Sequence, residues 1–172
     1  MGERDMIHDF KKSREKADSE KLHPFWESIY KEMFPNFVEM TGTIGNLQMQ
    51  KKGIDRIIIL NNNKFVFIDE KVRFKNYEDI CLEYISSDNT NSPGWMEKQV
   101  DIDWLAYAFI PSNKCYMIPF PLLKRVWKYY KNSWISDYRR IVAKNNGYNT
   151  ISVAVPIDVI KHKISDSTMI QL

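Results

Sequence analysis

The chain has 172 residues, 44% of them hydrophobic and 13% aromatic, which provides for a buried core and excludes the low-hydrophobicity disordered class. Its formal net charge of +3 is too small for a histone-like polycation, but the excess is uneven. Between residues 124 and 144, Lys124, Arg125, Lys128, Lys131, Arg139, Arg140 and Lys144 stand against the single acid Asp137.

In chain order, residues 1–20 are highly charged, with Met6, Phe10 and Ala17 near one helical face. They read as an N-terminal helix or arm ahead of a single domain at 21–172. Neither a signal-peptide apolar region nor a membrane-length apolar run is present, so the expectation is a cytoplasmic protein with no membrane partner. From Pro24 onward, Phe25, Trp26, Ile29, Tyr30 and Met33 recur at three-to-four spacing, which predicts an amphipathic helix ending before Pro35. Leu47 and Met49 alternate with polar residues and read as strand. An apolar run over 54–60, carrying Asp55 and Arg56 near its start, leads into Asn61, Asn62 and Asn63, residues that tolerate left-handed turns. A second apolar strand over 65–68 then closes on Asp69, Glu70 and Lys71, which predicts a hairpin.

A strand over 80–85 carries Glu83, and a polar loop over 86–94 closes on Pro93, Gly94 and Trp95. Strands over 104–110 and 115–118 flank Pro111, Ser112 and Asn113. A helix follows over 122–130, with its basic residues on the face away from Leu123, Val126 and Trp127, and then a weaker helix over 133–144. A late strand over 150–155 and a short helix started by Pro156 end the chain. The class is α/β. Cys81 and Cys115 lie in strand-like runs without Cys-x-x-Cys or zinc-ligand spacing, and read as buried thiols in a reducing compartment.

The chemistry-bearing pattern lies in the hairpin. Antiparallel pairing brings the start of one strand opposite the end of the next, so Asp55 meets the Asp69 to Lys71 group. The period of two puts Asp69 and Lys71 on one face and Glu70 on the other. Two converging carboxylates make a hard oxygen site for Mg²⁺, with Mn²⁺ as a substitute, which keeps several waters and takes further ligands from a phosphate. Lys71 on the same face would polarise the attacking water and offset developing negative charge. Gly53 marks a place where backbone or ligand approaches closely.

Gly53-Ile54-Asp55, followed after the hairpin by Ile68-Asp69-Glu70-Lys71, resembles the PD-(D/E)xK nuclease superfamily. The resemblance implies a restriction-endonuclease-like central mixed sheet flanked by helices, with DNA as the partner and substrate. It implies Asp55 and Asp69 as metal-binding acids, Lys71 as the catalytic lysine and the backbone carbonyl of Glu70 as a further metal ligand. It also implies an acid on the leading helix, Glu27 in preference to Glu32, and a glutamine ahead of the aspartate, Gln48 or Gln50. Gly53-Ile54 stands where the nominal pattern has a proline.

Other features have two readings. Arg73 and Lys75, and the basic helix face, are candidates for phosphate contact or are solvated charges. Trp95 either stacks on a base or plugs the edge of the core. His8, His23 and His162 lack ligand spacing. The expected function is a metal-dependent DNA endonuclease or exonuclease. Cleavage of two strands by so small a domain would require paired centres, hence a homodimer. The alternatives are a non-catalytic nuclease-fold module binding DNA or protein, and a small phage- or mobile-element-derived protein that engages a host partner.

Overall fold

The computed structural model describes residues 20–168, and residues 1–19 of the expected charged arm lie outside them. The described chain divides into two compact units, one formed by residues 20–76 and 100–119 and the other by 77–99 and 120–168.

The first unit opens with helix α1, His23–Met33, where Pro24 occupies the first turn and its missing N–H leaves no intrahelical bond unmade. The helix ends before Pro35, as the sequence predicts, with Phe34 in extended backbone. Strands β1 (Phe37–Gly42), β2 (Arg56–Leu60), β3 (Phe65–Arg73), β6 (Trp104–Phe109) and β7 (Lys114–Pro119) form one sheet in the order β1-β2-β3-β6-β7. It is mixed, because β3 and β6 run parallel and the other neighbours antiparallel. Asn63 adopts a left-handed φ of 57° in the β2–β3 turn, and Asn113 one of 52° between β6 and β7. On one face Trp26 and Tyr30 of α1 cluster with Ile58, Ile68, Val72, Ala106 and Ala108. The rings of Trp26 and Tyr30 stack at 5.9 Å.

In the second unit, β4 (Asp79–Ser87), the two-residue β5 (Ser92–Pro93), β8 (Arg139–Lys144) and β9 (Asn149–Pro156) form an antiparallel sheet in the order β5-β4-β9-β8. Helices α3 (Phe120–Asp137) and α4 (Ile157–Thr168) belong to the same unit. The apolar stripe of α3 buries Phe120, Leu123, Val126, Trp127 and Trp134. Among the described residues, no helix is long and apolar enough to cross a membrane.

Three local expectations are corrected. Leu47–Lys51 is a short helix, α2, not a strand. Its start is capped by Asn46, whose side chain accepts the Met49 N–H at 3.2 Å, a local bond that overrides the alternation of Leu47 and Met49. The second correction is β1, which the alternation did not reveal. A bulge at Val38 breaks its period of two and leaves that valine 55% exposed. The third concerns 133–144, where α3 runs through to Asp137 and the chain then pairs with β9 as β8. The β-branched pair Ile141-Val142 suits that edge strand better than a helix.

Both cysteines are free thiols, Cys81 buried and Cys115 half-buried against the α1 core. Burial, with the Glu70 charge adding to it, pushes the Cys115 thiol up to about 12, so almost none of it is thiolate at neutral pH. Ellman's reagent at pH 8 should therefore leave both thiols largely unreacted in the native chain and titrate both in guanidinium. Rapid reaction of the native chain would contradict this packing.

Candidate metal centre

The segment before β2 aims Asp55. Helix α2 ends with the Lys52 N–H bonded to the carbonyls of Gln48 (3.3 Å) and Met49 (3.1 Å), and Gly53 then takes a left-handed φ of 77°. A Cβ at Gly53 would lie 3.0 Å from Val100 Cγ1, so both backbone and space call for glycine here. Thr43 Oγ1 donates to the Ile54 carbonyl at 2.5 Å, and Thr43 N–H to the Asp55 carbonyl at 3.2 Å. The Asp55 N–H donates to the Ile68 carbonyl at 2.9 Å. Main-chain bonds on both sides thus hold Asp55 one residue ahead of β2. Its Oδ2 accepts the Glu70 N–H at 3.1 Å.

The hairpin register pairs Arg56 with Ile68, and the pleat sorts the charges as expected. Asp69 lies beside Leu105 of β6, and Lys71 beside Tyr107. Asp69 is only 4% exposed. It forms an ion pair with the Lys71 ammonium and shares a hydrogen bond with the Asp55 carboxyl. Burial pushes Asp69 up to about 8; Lys71 pulls the other way, and the neighbouring Asp55 adds to the rise. Asp55, Asp69 and Lys71 therefore come together on one face.

This donor set fits a hard divalent cation. Two carboxylates that repel one another would both gain from a shared cation, and Mg²⁺ needs few protein ligands because it retains waters. In a strand the N–H and carbonyl of one residue point the same way, so the Glu70 carbonyl turns to the same edge as the N–H that Asp55 accepts. Among the described residues, no group of three or more His, Cys, Asp or Glu side chains could hold a metal. The protein ligands here would be the two aspartates, with the Glu70 carbonyl beside them.

The opposite face holds a network that the sequence did not disclose. The Glu70 carboxylate, buried among the α1 contacts, accepts Tyr30 Oη–H at 2.6 Å and a bidentate pair from Arg56, Nε and Nη2 each at 2.9 Å. Burial raises the Glu70 carboxyl despite Arg56 and Tyr30, and raises the Tyr30 hydroxyl well above the phenol range, with the Glu70 charge adding to it. Tyr30 and Arg56 therefore position the strand that carries Asp69. A signal was present: once the asparagine turn sets the register, Arg56 and Glu70 share parity on the apolar face.

Among the described residues, Glu27 and Gln48 make no hydrogen bond or ion pair with this cluster. Glu27 on α1 is half-exposed and pairs with Lys31 at 2.9 Å, which holds its carboxyl below the usual range. Gln48 is exposed on α2. Arg73 shares the parity of Asp69 and Lys71 at the end of β3, and Lys75 is exposed beyond it. Trp95 is half-buried, its ring 6.2 Å from that of Phe120.

No protein-family model, curated protein or solved structure matches the chain.

The geometry of the two faces sets distinct stability expectations. Glu70→Ala removes the buried carboxylate that both Arg56 and Tyr30 bond and should cost about 3–5 kcal/mol, whereas Tyr30→Phe should cost about 1 kcal/mol. Chemical denaturation measures both, and equal small effects would refute the network. Asp69 retains its proton in the fold at a pH where the unfolded chain has lost it. The stability that this contributes is complete below about pH 4 and is lost as the pH rises through about 8. In EDTA, the melting temperature should therefore fall between about pH 4 and 8 and level off above that, and Asp69→Asn should flatten the fall.

Proposed function

We propose that this chain is a metal-dependent phosphodiesterase acting on DNA, with a PD-(D/E)xK-type centre in a restriction-endonuclease-like sheet. The observation that carries the reading is the convergence of the Asp55 and Asp69 carboxyls with the Lys71 ammonium on one face of the β2–β3 hairpin. Each of these groups is commonplace at a strand end. Two adjacent carboxyls of which one is almost fully buried are not, because burial and mutual repulsion both oppose ionisation.

Asp55 and Asp69 would hold the cation, with the Glu70 carbonyl as a third protein oxygen. When bound there, Mg²⁺ supplies positive charge that polarises the phosphate and acidifies a water. Lys71 orients that water and offsets charge on the phosphoryl oxygens. Attack forms one phosphorus–oxygen bond as the bond to the leaving sugar oxygen breaks, which gives a phosphate monoester and a hydroxyl end. Arg73, with the parity of Lys71, is placed to steady a neighbouring phosphate. Such an enzyme would work in the cytoplasm, where Mg²⁺ and DNA meet.

Incubation with labelled DNA substrates and Mg²⁺ or Mn²⁺ tests this reading. Asp69→Ala and Lys71→Ala should each lower cleavage by roughly 10²-fold or more with the fold intact. Retained activity in either variant overturns the assignment. One observation favours a second reading, a non-catalytic module on the same scaffold: Lys71 already pairs with Asp69, and no third acid joins the cluster among the described residues. Calorimetric titration with Mn²⁺ separates the two. Binding that disappears in Asp55→Ala supports the enzyme, and absence of binding at millimolar metal with DNA present supports the module.

A further inference from the structure

Helix α3 packs its apolar stripe into its own unit and presents a different chemistry on its other side. An open cleft of about 590 Å³ is lined there by Lys124, Arg125, Lys128, Tyr129 and Lys131, with Glu97 as its acid. That acid is already committed. Glu97 accepts the Trp127 indole N–H at 2.8 Å and pairs with Lys131 at 2.7 Å. Lys124 donates to the carbonyls of Met96 and Lys98, which fix its ammonium without neutralising it. Arg125 and Lys128 are exposed and make no ion pair with a described residue. Tyr129 follows Arg125 by one helical turn and is 74% exposed, the most of any large hydrophobic side chain among the described residues.

Cations at positions 124, 128 and 131 recur at four- and three-residue intervals and so lie along one side of the helix. Seven residues of helix span about 10 Å at roughly 1.5 Å per residue. That length spans about three successive phosphate steps of a stacked strand, at about 3.4 Å of axial rise each. A row of cations suits any polyanion. The exposed phenol ring narrows the choice, because an aromatic face beside a basic track is how proteins take unpaired bases, which a duplex keeps stacked within itself.

We infer that this face of α3 is a nucleic-acid-binding site for a single-stranded segment, with phosphates on Arg125 and Lys128 and a base on Tyr129. The site lies in the second unit, goes beyond the hydrolytic centre and requires no metal. Lys124, held by backbone carbonyls, keeps its charge and adds to the potential of the track, and Lys131, paired with Glu97, forms its wall.

Fluorescence anisotropy of the full chain with a short labelled oligo(dT), in EDTA, tests the site without cleavage. The parent should bind oligo(dT) more tightly than duplex DNA of equal length. Arg125→Glu with Lys128→Glu should weaken binding roughly tenfold or more. The same pair should make the log–log salt slope shallower by about 0.7 for each phosphate that is no longer bound. Tyr129→Ala should weaken oligo(dT) by roughly tenfold and leave duplex affinity unchanged. Circular dichroism checks the fold, and Arg125→Gln with Lys128→Gln should reproduce a smaller drop in affinity if the charge reversal unfolds the chain. Binding is read in EDTA and cleavage in Mg²⁺, so a chain that binds oligo(dT) without cutting DNA and one that cuts without binding it here tell failure of the nuclease reading apart from failure of this site. Three results overturn the inference: affinity within twofold of the parent in both folded charge variants, tighter binding of duplex than of oligo(dT), or displacement of oligo(dT) by polyglutamate at equal charge. The last would mark an acidic protein as the partner.

Discussion

Five charged residues, Asp55, Arg56, Asp69, Glu70 and Lys71, gather where β2 begins and β3 passes it, and the pairing of Arg56 with Ile68 decides on which side of the sheet each one acts. In this register Asp55, Asp69 and Lys71 share one side, while Arg56 and Glu70 meet Tyr30 on the other. A slip by one residue would exchange the sides. Asp69 and Lys71 would then enter the cluster under α1, and Glu70 would lose both of its partners. A buried carboxylate without its cation costs several kcal/mol. The charges are therefore a lock on register as well as a chemical group, and the turn containing Asn63 needs only to permit the register that they enforce.

The two faces of β3 are unequal in electrostatic terms. On the α1 side Glu70 and Arg56 cancel, and Tyr30 adds a third hydrogen bond to the carboxylate. On the other side two aspartates face one lysine, a deficit of one positive charge in a site where Asp69 is almost fully buried. Without a cation the protein meets the deficit by keeping a proton, which is why burial raises Asp69. A bound cation would compete with that proton for the same oxygens, and the network on the reverse of the strand holds Glu70 from the other side.

Much of this was legible from sequence because it depends on local rules. Pro24 and the recurrence of Trp26 and Tyr30 announce α1, and the three asparagines announce the hairpin. Parity alone separates Glu70 from Asp69 and Lys71. What was not legible depends on tertiary partners. The Tyr30 hydroxyl looks like one more apolar-face aromatic until Glu70 lies 2.6 Å away. β1 is concealed by its bulge, and β8 by a helical pattern that carries on past the end of α3. Nor does any single stretch of sequence reveal that the strands divide between two sheets, since β4 finds its neighbour β9 more than sixty residues later.

That division leaves four sheet edges, each of which carries a deterrent to further pairing. The β1 edge has its bulge at Val38, and β7 ends in Pro119. The other sheet is bounded by β5, two residues long and closing on Pro93, and by β8 with Arg139, Arg140 and Lys144 exposed. Bulges, prolines and like charges all discourage an incoming strand. The consequence is colloidal: no edge among the described residues offers a long, flat, uncharged template for cross-β growth, so association of two copies through joined sheets is disfavoured.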